Sequence, residues 1–326
     1  MLILYIFLLV LGMFFLIKGA DIFVDGASSV AKRLKVPTLI IGLTIVALGT
    51  SLPELAVSVV AAINGKVDMS VGNVVGSNIF NILVVLGLSC IIAPICIDKK
   101  ILKFELPFLL FVSILLLIAS LTGEKTITWY YGLIFLVLLV FYIWFLIFRT
   151  KKEEKNENEI VEPKLSVSKS IVSIILGAIG IAIGGELVNR SAVYIAGALG
   201  MSEQLIALTI VSIGTSLPEL VTSLVAAKKH ENDIALGNVI GSNTLNVLFI
   251  LGISGLIHPL SIQTNLYFDL IFMVAITVIL IALSLFAYKK KGLYRISGSI
   301  LFFTYILYMA YIICRQLNVL PGFLIF

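Results

Sequence analysis

The hydrophobic positions of this chain fall into ten long apolar segments separated by short polar stretches. A helix needs about 20 apolar residues to cross the hydrocarbon core of a bilayer, and each segment is close to or above that length. The segments cover residues 2–24, 37–63, 69–95, 104–121, 127–148, 168–190, 203–227, 233–257, 266–287 and 294–314. The pattern predicts an all-α membrane protein with ten transmembrane helices, numbered below as spans 1 to 10.

The composition agrees with this interpretation and excludes a soluble protein. Hydrophobic residues make up 60% of the 326 residues and charged residues only 13%, with a mean hydropathy of +1.15. A soluble core of this length does not need so much apolar surface. The net charge of +5 does not indicate nucleic-acid binding, because the basic residues are concentrated in the loops between spans. The first span lacks a basic leader and a small-residue cleavage site, so we expect it to be retained.

A long internal repeat divides the chain into two halves. Gly-Thr-Ser-Leu-Pro-Glu-Leu occurs at 49–55 and again at 214–220, and Gly-Asn-Val-x-Gly-Ser-Asn follows at 72–78 and 237–243, at a constant offset of 165 residues. Spans 1 to 5 therefore form a first half over residues 1–148, and spans 6 to 10 form a second half over 169–326. A charged linker, residues 149–168, connects them.

The basic residues predict how the chain crosses the membrane. The loops after spans 1, 3, 5, 7 and 9, counted with the first two residues of the following span, hold 18 of the 23 Lys and Arg residues. Because cytoplasmic loops carry this excess, we expect a multi-pass cell-membrane protein with the linker in the cytoplasm and both termini outside. Each half has an odd number of spans, so the second must insert upside down relative to the first. This indicates two inverted-topology five-helix repeats.

The repeated motif carries a polar stripe at a predicted helix break. Pro53 has no amide hydrogen for the carbonyl of Gly49, and Pro218 stands in the same relation to Gly214, so we expect broken helices at both places. Helical spacing places two matching sets on one face each: Ala47, Thr50, Ser51, Glu54 and Ser58, and Ser212, Thr215, Ser216, Glu219 and Ser223. A carboxylate at mid-span costs about 2.5–3.5 kcal/mol, so its presence indicates function. Ligands made only of oxygen atoms suit Ca²⁺ and Na⁺.

Spans 3 and 8 supply a second polar face. Helical spacing aligns Asn73, Ser77 and Asn81 in one repeat, and Asn238, Ser242 and Asn246 in the other. Asn78 and Asn243 either join the site or hydrogen-bond across helices. A further matched acidic pair, Asp21 and Glu186, is expected to form ion pairs with Lys18, Arg190 or loop groups.

The paired motifs, each followed by Gly-Asn and Gly-Ser-Asn, resemble the two α-repeats of the cation/Ca²⁺ antiporter superfamily, and most closely those of prokaryotic sodium/calcium exchangers. The resemblance implies four adjacent cation sites between spans 2, 3, 7 and 8, with spans 1 and 6 sliding as a gate. It assigns the Ca²⁺ ligands to the carboxylates of Glu54 and Glu219 and the backbone carbonyls of Thr50 and Thr215. It assigns Na⁺ to the same two glutamates together with Ala47, Ser51, Ser77, Asn81, Ser212, Ser216, Ser242 and Asn246.

One position departs from part of that superfamily. Some relatives, including potassium-dependent exchangers, have aspartate where this chain has Asn246. The asparagine leaves the site with two formal negative charges instead of three, which by resemblance points away from K⁺ co-transport.

The function expected from the sequence is a secondary active antiporter, not an enzyme, that exchanges Na⁺ for Ca²⁺ by alternating access. The two ions compete for the same two carboxylates, and a single chain in the lipid bilayer suffices, with no cofactor beyond the transported ions and no nucleic acid. An H⁺/Ca²⁺ exchanger that uses the same glutamates is the alternative, although the hydroxyl-rich flanks favour Na⁺. A cation channel is less consistent with broken helices in inverted repeats.

Overall fold

In a computed structural model, the chain is almost entirely helical over the residues that the structure describes: 1–97, 99–122, 126–153, 165–200, 212–262, 266–289 and 292–316. The helices are α1 (Leu2–Leu34), α2 (Thr38–Thr50), α3 (Leu52–Ile63), α4 (Val67–Ile92), α5 (Ile101–Leu121), α6 (Trp129–Glu153), α7 (Val167–Ala198), α8 (Ser212–Thr215), α9 (Leu217–Lys228), α10 (Asn232–Ile257), α11 (Leu266–Lys289) and α12 (Arg295–Gln316). Two short strands, β1 (Thr126–Ile127) and β2 (Leu260–Ser261), pair antiparallel.

The described helices confirm a multi-pass membrane protein. Eight of them are long and apolar enough to cross a bilayer, and α2 with α3 makes a ninth if the bent pair counts as one span. The predicted seventh span enters the described part of the chain only at residue 212, so residues 203–211 lie outside it. The same holds for residues 154–164 of the predicted linker.

The predicted end of span 1 at residue 24 was wrong. The helix α1 continues to Leu34 and ends at Lys35, which takes a left-handed conformation (φ 52°) and donates its amide to the carbonyl of Ala31. Polar residues such as Asp21, Asp25 and Lys32 interrupt the apolar pattern without interrupting the helix, because each finds an ionic partner.

The chain divides into two compact units, and each takes residues from both sequence halves. The first unit comprises Met1–Pro53 and Phe141–Ser242, and the second comprises Glu54–Val140 and Asn243–Phe326.

In the first unit, α1 and α7 pack directly against each other through glycines. As numbering rises along α1 it falls along α7: Gly12 meets Gly184, and Gly19 meets Gly177. The two helices are therefore antiparallel. A Cβ added at any of these four glycines would lie 2.5–2.9 Å from backbone atoms of the other helix. We call these four residues the glycine seam; it allows the close backbone approach that membrane helices achieve with small residues.

Ion pairs join the polar end of α1 to the loop after α9. Lys229 Nζ lies 2.7 Å from an oxygen of Asp21 and 2.9 Å from one of Asp25, and Lys32 Nζ lies 3.0 Å from Glu231 Oε1. On α7, Glu186 pairs with Arg190. Both members of the matched acidic pair thus bind cationic side chains, as predicted, and the loops after spans 1 and 7 lie on one side.

In the second unit, loops that are predicted to lie on the same side of the membrane contact each other. Ile95 and Leu293 form a backbone bridge between the loops after spans 3 and 9, with an N···O distance of 2.8 Å from Leu293 to Ile95. The pairing of β1 with β2 joins the loops after spans 4 and 8. Odd-numbered loops thus meet odd-numbered loops and even meet even, as successive membrane crossings require.

Candidate cation site

Two helix breaks position the candidate site residues. The helix α2 ends before Ser51, which leaves helical geometry (φ −84°, ψ 6°), and α3 starts at a bend of 50°. The equivalent break separates α8 from α9 at Ser216 (φ −92°, ψ 6°). Pro53 and Pro218 are the second residues of α3 and α9, where a missing amide hydrogen is tolerated.

The repeated polar stripe is buried. Exposure is 0% for Thr50, Glu54 and Ser58 and 4% for Ser51. Their repeat counterparts are buried to the same degree, at 4% for Thr215 and 0% for Ser216, Glu219 and Ser223. Ser212 begins α8, but its side chain lies outside the described part of the chain.

In the first unit, the Glu219 carboxylate is held by one of its two oxygens. Oε1 accepts hydrogen bonds from Ser51 Oγ at 2.8 Å and from Ser242 Oγ at 3.4 Å. Oε2 is buried, and no hydrogen-bond partner for it exists among the described residues. A buried carboxylate oxygen in that position is a strong potential ligand for a cation.

Asn238 links three helices beside this carboxylate. Its Oδ1 accepts from Thr50 Oγ1 at 3.0 Å, and its Nδ2 donates to Ser223 Oγ at 2.9 Å and to the Glu219 carbonyl at 3.4 Å. From the sequence, Asn238 was placed on the polar face but left out of the site. Its contacts show that it orders Thr50 and the backbone of Glu219.

We expect Asn238→Leu to lower the stability of the protein, because two buried hydroxyls lose their shortest hydrogen bonds. A typical hydrogen bond contributes about 0.5–1.5 kcal/mol. Each hydroxyl keeps only a longer bond, at 3.3 Å for Thr50 and 3.5 Å for Ser223. Thermal unfolding of the purified protein in detergent measures the change. Asn64→Leu is the control, since this exposed asparagine donates only to the Val60 carbonyl at 2.9 Å. Equal melting temperatures for the two variants would contradict the role assigned to Asn238.

The second unit repeats the arrangement around Glu54. Asn73 Nδ2 donates to Ser58 Oγ at 3.0 Å and to the Glu54 carbonyl at 3.4 Å. These distances match those of Asn238 to Ser223 and Glu219, so the repeat at an offset of 165 residues extends to side-chain geometry.

A group of asparagines lies between α4 and α10 in the same unit. Asn78 Nδ2 donates to the Asn243 carbonyl at 3.2 Å, and Asn243 Nδ2 donates to the Asn78 carbonyl at 3.2 Å. Of the two possibilities left open by the sequence, these residues take hydrogen bonds across helices. Asn246 Nδ2 also donates to Asn78 Oδ1 at 3.0 Å. Asn81 is fully buried, and neither of its side-chain polar atoms has a hydrogen-bond partner within the described residues.

Asn81 and Asn246 each begin a π-helical segment. These segments cover Asn81–Val85 and Asn246–Leu251, and single π-helical turns are frequent at functional sites. Nothing in the sequence pattern predicted them.

The remaining predicted ligands are also buried. Ser77 and Ser242 are 0% exposed, as is Ala47. The Ala47 carbonyl already accepts from the Ser51 amide at 3.0 Å and from Thr50 Oγ1 at 3.3 Å, so an ion there would have to share or displace a donor.

The donor set is almost entirely neutral oxygen. In the part of the chain that the structure describes, no three His, Cys, Asp or Glu side chains gather in a group that could hold a metal ion. Hydroxyl, amide and carbonyl oxygens around single carboxylates are the chemistry preferred by hard cations such as Na⁺ and Ca²⁺.

Comparison with known proteins decides the family. A family model described as sodium/calcium exchanger protein matches residues 4–148 and 169–314, which include both repeats. This chain belongs to the sodium/calcium exchanger family. It is therefore a prokaryotic-type member of the cation/Ca²⁺ antiporter superfamily, whose members are transporters and not enzymes.

Individual relatives match over nearly the whole length. The sodium/calcium exchanger MaX1 of Methanosarcina acetivorans is 32% identical, covering 93% of this chain and 96% of the relative. The uncharacterized membrane protein MJ0091 of Methanocaldococcus jannaschii is 38% identical, with coverage of 95% and 98%. A structure of the sodium-calcium exchanger NCX_Mj soaked with 2.5 mM Na⁺ and 10 mM Sr²⁺ aligns with a TM-score of 0.83 at 34% identity, over 95% and 99% of the two chains.

Proposed function

We propose that this member of the family exchanges Na⁺ for Ca²⁺ by alternating access, and that the two ions compete for Glu54 and Glu219. The observation that carries the proposal is the Glu219 carboxylate, which keeps one buried oxygen without a partner in the described residues while two serine hydroxyls hold the other. Two carboxylates neutralise one Ca²⁺ ion, and this lowers the cost of carrying it through a low-dielectric region. The empty, doubly charged site would resist that step, which couples the two fluxes.

The ligands proposed for the two ions are those expected from the sequence. Ca²⁺ binds the carboxylates of Glu54 and Glu219 and the carbonyls of Thr50 and Thr215. Na⁺ uses the same carboxylates with Ala47, Ser51, Ser77, Asn81, Ser212, Ser216, Ser242 and Asn246. The burial of the described side chains among these supports the assignment. The two hydrogen bonds already made by the Ala47 carbonyl make it the weakest member of the set.

The proposed architecture is ten spans in two inverted five-helix repeats, 1–148 and 169–326, joined by a cytoplasmic linker, 149–168, with both termini outside. Antiparallel packing of α1 on α7 supports the inversion, because these are the first helices of the two repeats. The reciprocal bonds between Asn78 and Asn243, which are related by the repeat offset, support the same symmetry. All proposed ligands belong to one chain, so a monomer suffices.

Transport measurements separate Na⁺ from H⁺ as the exchanged ion. We expect proteoliposomes loaded with Na⁺ to take up Ca²⁺ when diluted into Na⁺-free buffer, whereas an imposed pH gradient without Na⁺ gives no uptake. The hydroxyl groups beside the carboxylates motivate this expectation, because proton exchange does not require those additional oxygens. Uptake driven only by the pH gradient would keep the glutamates but make the protein an H⁺/Ca²⁺ exchanger. A unitary current would instead indicate a channel.

A further inference from the structure

We propose that Asn78 is a positioning residue that orients the Asn246 amide, so that the Asn246 oxygen and not its nitrogen faces the transported cation. Asn78 itself is not among the proposed ligands. The inference rests on the proposed function, because it concerns how one of the proposed Na⁺ ligands presents its oxygen.

A chain of hydrogen bonds fixes the direction of both amides. It starts at the backbone carbonyl of Asn243, which can only accept, so the atom of Asn78 that lies 3.2 Å from it must be Nδ2. Asn78 Oδ1 is then left on the other side and can also only accept. The atom of Asn246 that lies 3.0 Å from Asn78 Oδ1 must therefore be its donor, Nδ2. Amide orientations are assigned from hydrogen-bond networks, and this network permits one orientation for each residue.

In this orientation, Asn246 Oδ1 takes no part in the series of hydrogen bonds. This oxygen is buried, and no hydrogen-bond partner for it is found among the described residues. A buried amide oxygen without a partner is unfavourable by about 1–3 kcal/mol, so a ligand that accepts its lone pairs would relieve the cost. Na⁺ and Ca²⁺ are such ligands, whereas the NH₂ end of the same amide would repel them.

The corresponding series of hydrogen bonds that starts at the backbone carbonyl of Asn78 is incomplete. Asn243 Nδ2 donates to the Asn78 carbonyl at 3.2 Å, which mirrors the first bond. However, Asn243 Oδ1 has no hydrogen-bond partner in the described part of the chain, and Asn81 makes no side-chain hydrogen bond there. Asn81 and Asn246 correspond in sequence but differ in restraint: the amide of Asn246 is held in one direction, and that of Asn81 is not.

This difference supplies a matched pair of variants. Asn78→Leu and Asn243→Leu each remove one side-chain bond to a facing backbone carbonyl, at the same 3.2 Å distance. Only Asn78→Leu also removes the acceptor that orients Asn246. A purely structural role predicts that both substitutions lower stability without a difference between them in ion affinity. A positioning role predicts that they differ in ion affinity.

The experiment measures Ca²⁺ binding to the purified protein, without Na⁺ and at increasing Na⁺ concentration, for both variants, together with their melting temperatures. We expect both variants to lose thermal stability, and Asn78→Leu to lose more, because it also leaves the buried Asn246 Nδ2 without its acceptor. We expect Asn78→Leu to weaken Na⁺ binding about tenfold, which corresponds to ~1.4 kcal/mol. The Na⁺ concentration that halves Ca²⁺ binding should rise by the same factor, while the Kd for Ca²⁺ without Na⁺ stays unchanged, because Asn246 is not among the proposed Ca²⁺ ligands. Asn243→Leu should stay within about twofold of the wild type. Equal shifts in the two variants would overturn the proposal.

A double variant provides the second test. If Asn78 acts through Asn246, then Asn78→Leu should have little further effect on affinity in an Asn246→Leu background. Additive effects would contradict the proposal. If either leucine variant fails to give monodisperse protein, Asn78→Ala and Asn243→Ala replace the pair with smaller side chains. Direct binding measurements distinguish a failure of this proposal from a failure of the proposed exchange. Absence of Na⁺-driven uptake by the wild type would refute the exchange. The ion affinities of Asn78→Leu and Asn243→Leu would still decide the role of Asn78.

Discussion

Glu219→Gln is expected to abolish Ca²⁺ uptake driven by a Na⁺ gradient while the protein still folds. The amide keeps the size of the carboxylate and can still accept from Ser51 and Ser242. It removes the negative charge that offsets a divalent cation, and cation affinity depends on the number of charged ligands. We expect less than about 1% of the wild-type uptake rate, equivalent to ~2.8 kcal/mol or more. Glu54→Gln should behave in the same way, because it is the corresponding residue of the first repeat.

The control for this prediction is Glu186→Gln. Glu186 is also a glutamate of a predicted span, but it is 55% exposed and pairs with Arg190. Exposed ion pairs contribute little, about 0–1 kcal/mol, so uptake should remain near the wild-type rate. Radioactive Ca²⁺ uptake into vesicles, normalised to the amount of folded protein, measures all three variants. Wild-type exchange by both Glu54→Gln and Glu219→Gln would refute the site assignment.

Gly184→Leu is expected to prevent proper packing of the first unit. A Cβ alone at this position would lie 2.5 Å from the Leu16 amide nitrogen and 2.7 Å from the Gly12 carbonyl oxygen. Both are backbone atoms, so relief requires the whole of α1 to move away from α7. Overpacking by single methylene groups in a core typically costs about 1–3 kcal/mol, and leucine adds four carbons. We expect most of the protein to be lost as aggregate, which size-exclusion chromatography in detergent would measure.

Ile183→Leu is the control for the glycine seam. Ile183 is the neighbouring residue of α7 and is 49% exposed, so its side chain has room to change. This variant should give a normal monodisperse peak. A Gly184→Leu protein that elutes and transports as the wild type would show that α1 and α7 do not need their close contact.

Much of the fold was predictable from the sequence, because hydrophobic segments of spanning length and an exact repeat offset leave few alternatives. The helix breaks at Ser51 and Ser216 lie beside Pro53 and Pro218, where the missing amide hydrogens predicted them. The end of α1 was not predictable in this way. Hydropathy falls at Asp21 and Asp25, and only the contact with Lys229, more than 200 residues away, shows why the helix continues.

The candidate site was predicted in its residue types but not in its hydrogen bonds. Residue spacing placed Asn238, Ser242 and Asn246 on one face of a helix, which their complete burial supports. Spacing could not show that Asn78 holds Asn246 while Asn81 has no equivalent bond, because the sequence is symmetric at these positions. It also could not show the π-helical segments that begin at Asn81 and Asn246. Such asymmetry arises from packing between helices and not from the local sequence.

The central claim is that Na⁺ and Ca²⁺ compete for the same two carboxylates. Its most direct test is to measure Ca²⁺ binding to the purified protein at increasing Na⁺ concentration. The proposal predicts that the apparent Kd for Ca²⁺ keeps rising as Na⁺ is added, without reaching a ceiling, because one set of ligands cannot hold both ions. Loss of Ca²⁺ binding in Glu54→Gln and Glu219→Gln should accompany that result. An apparent Kd that is independent of Na⁺, or that levels off at a plateau, would place the two ions on separate sites and contradict the proposal.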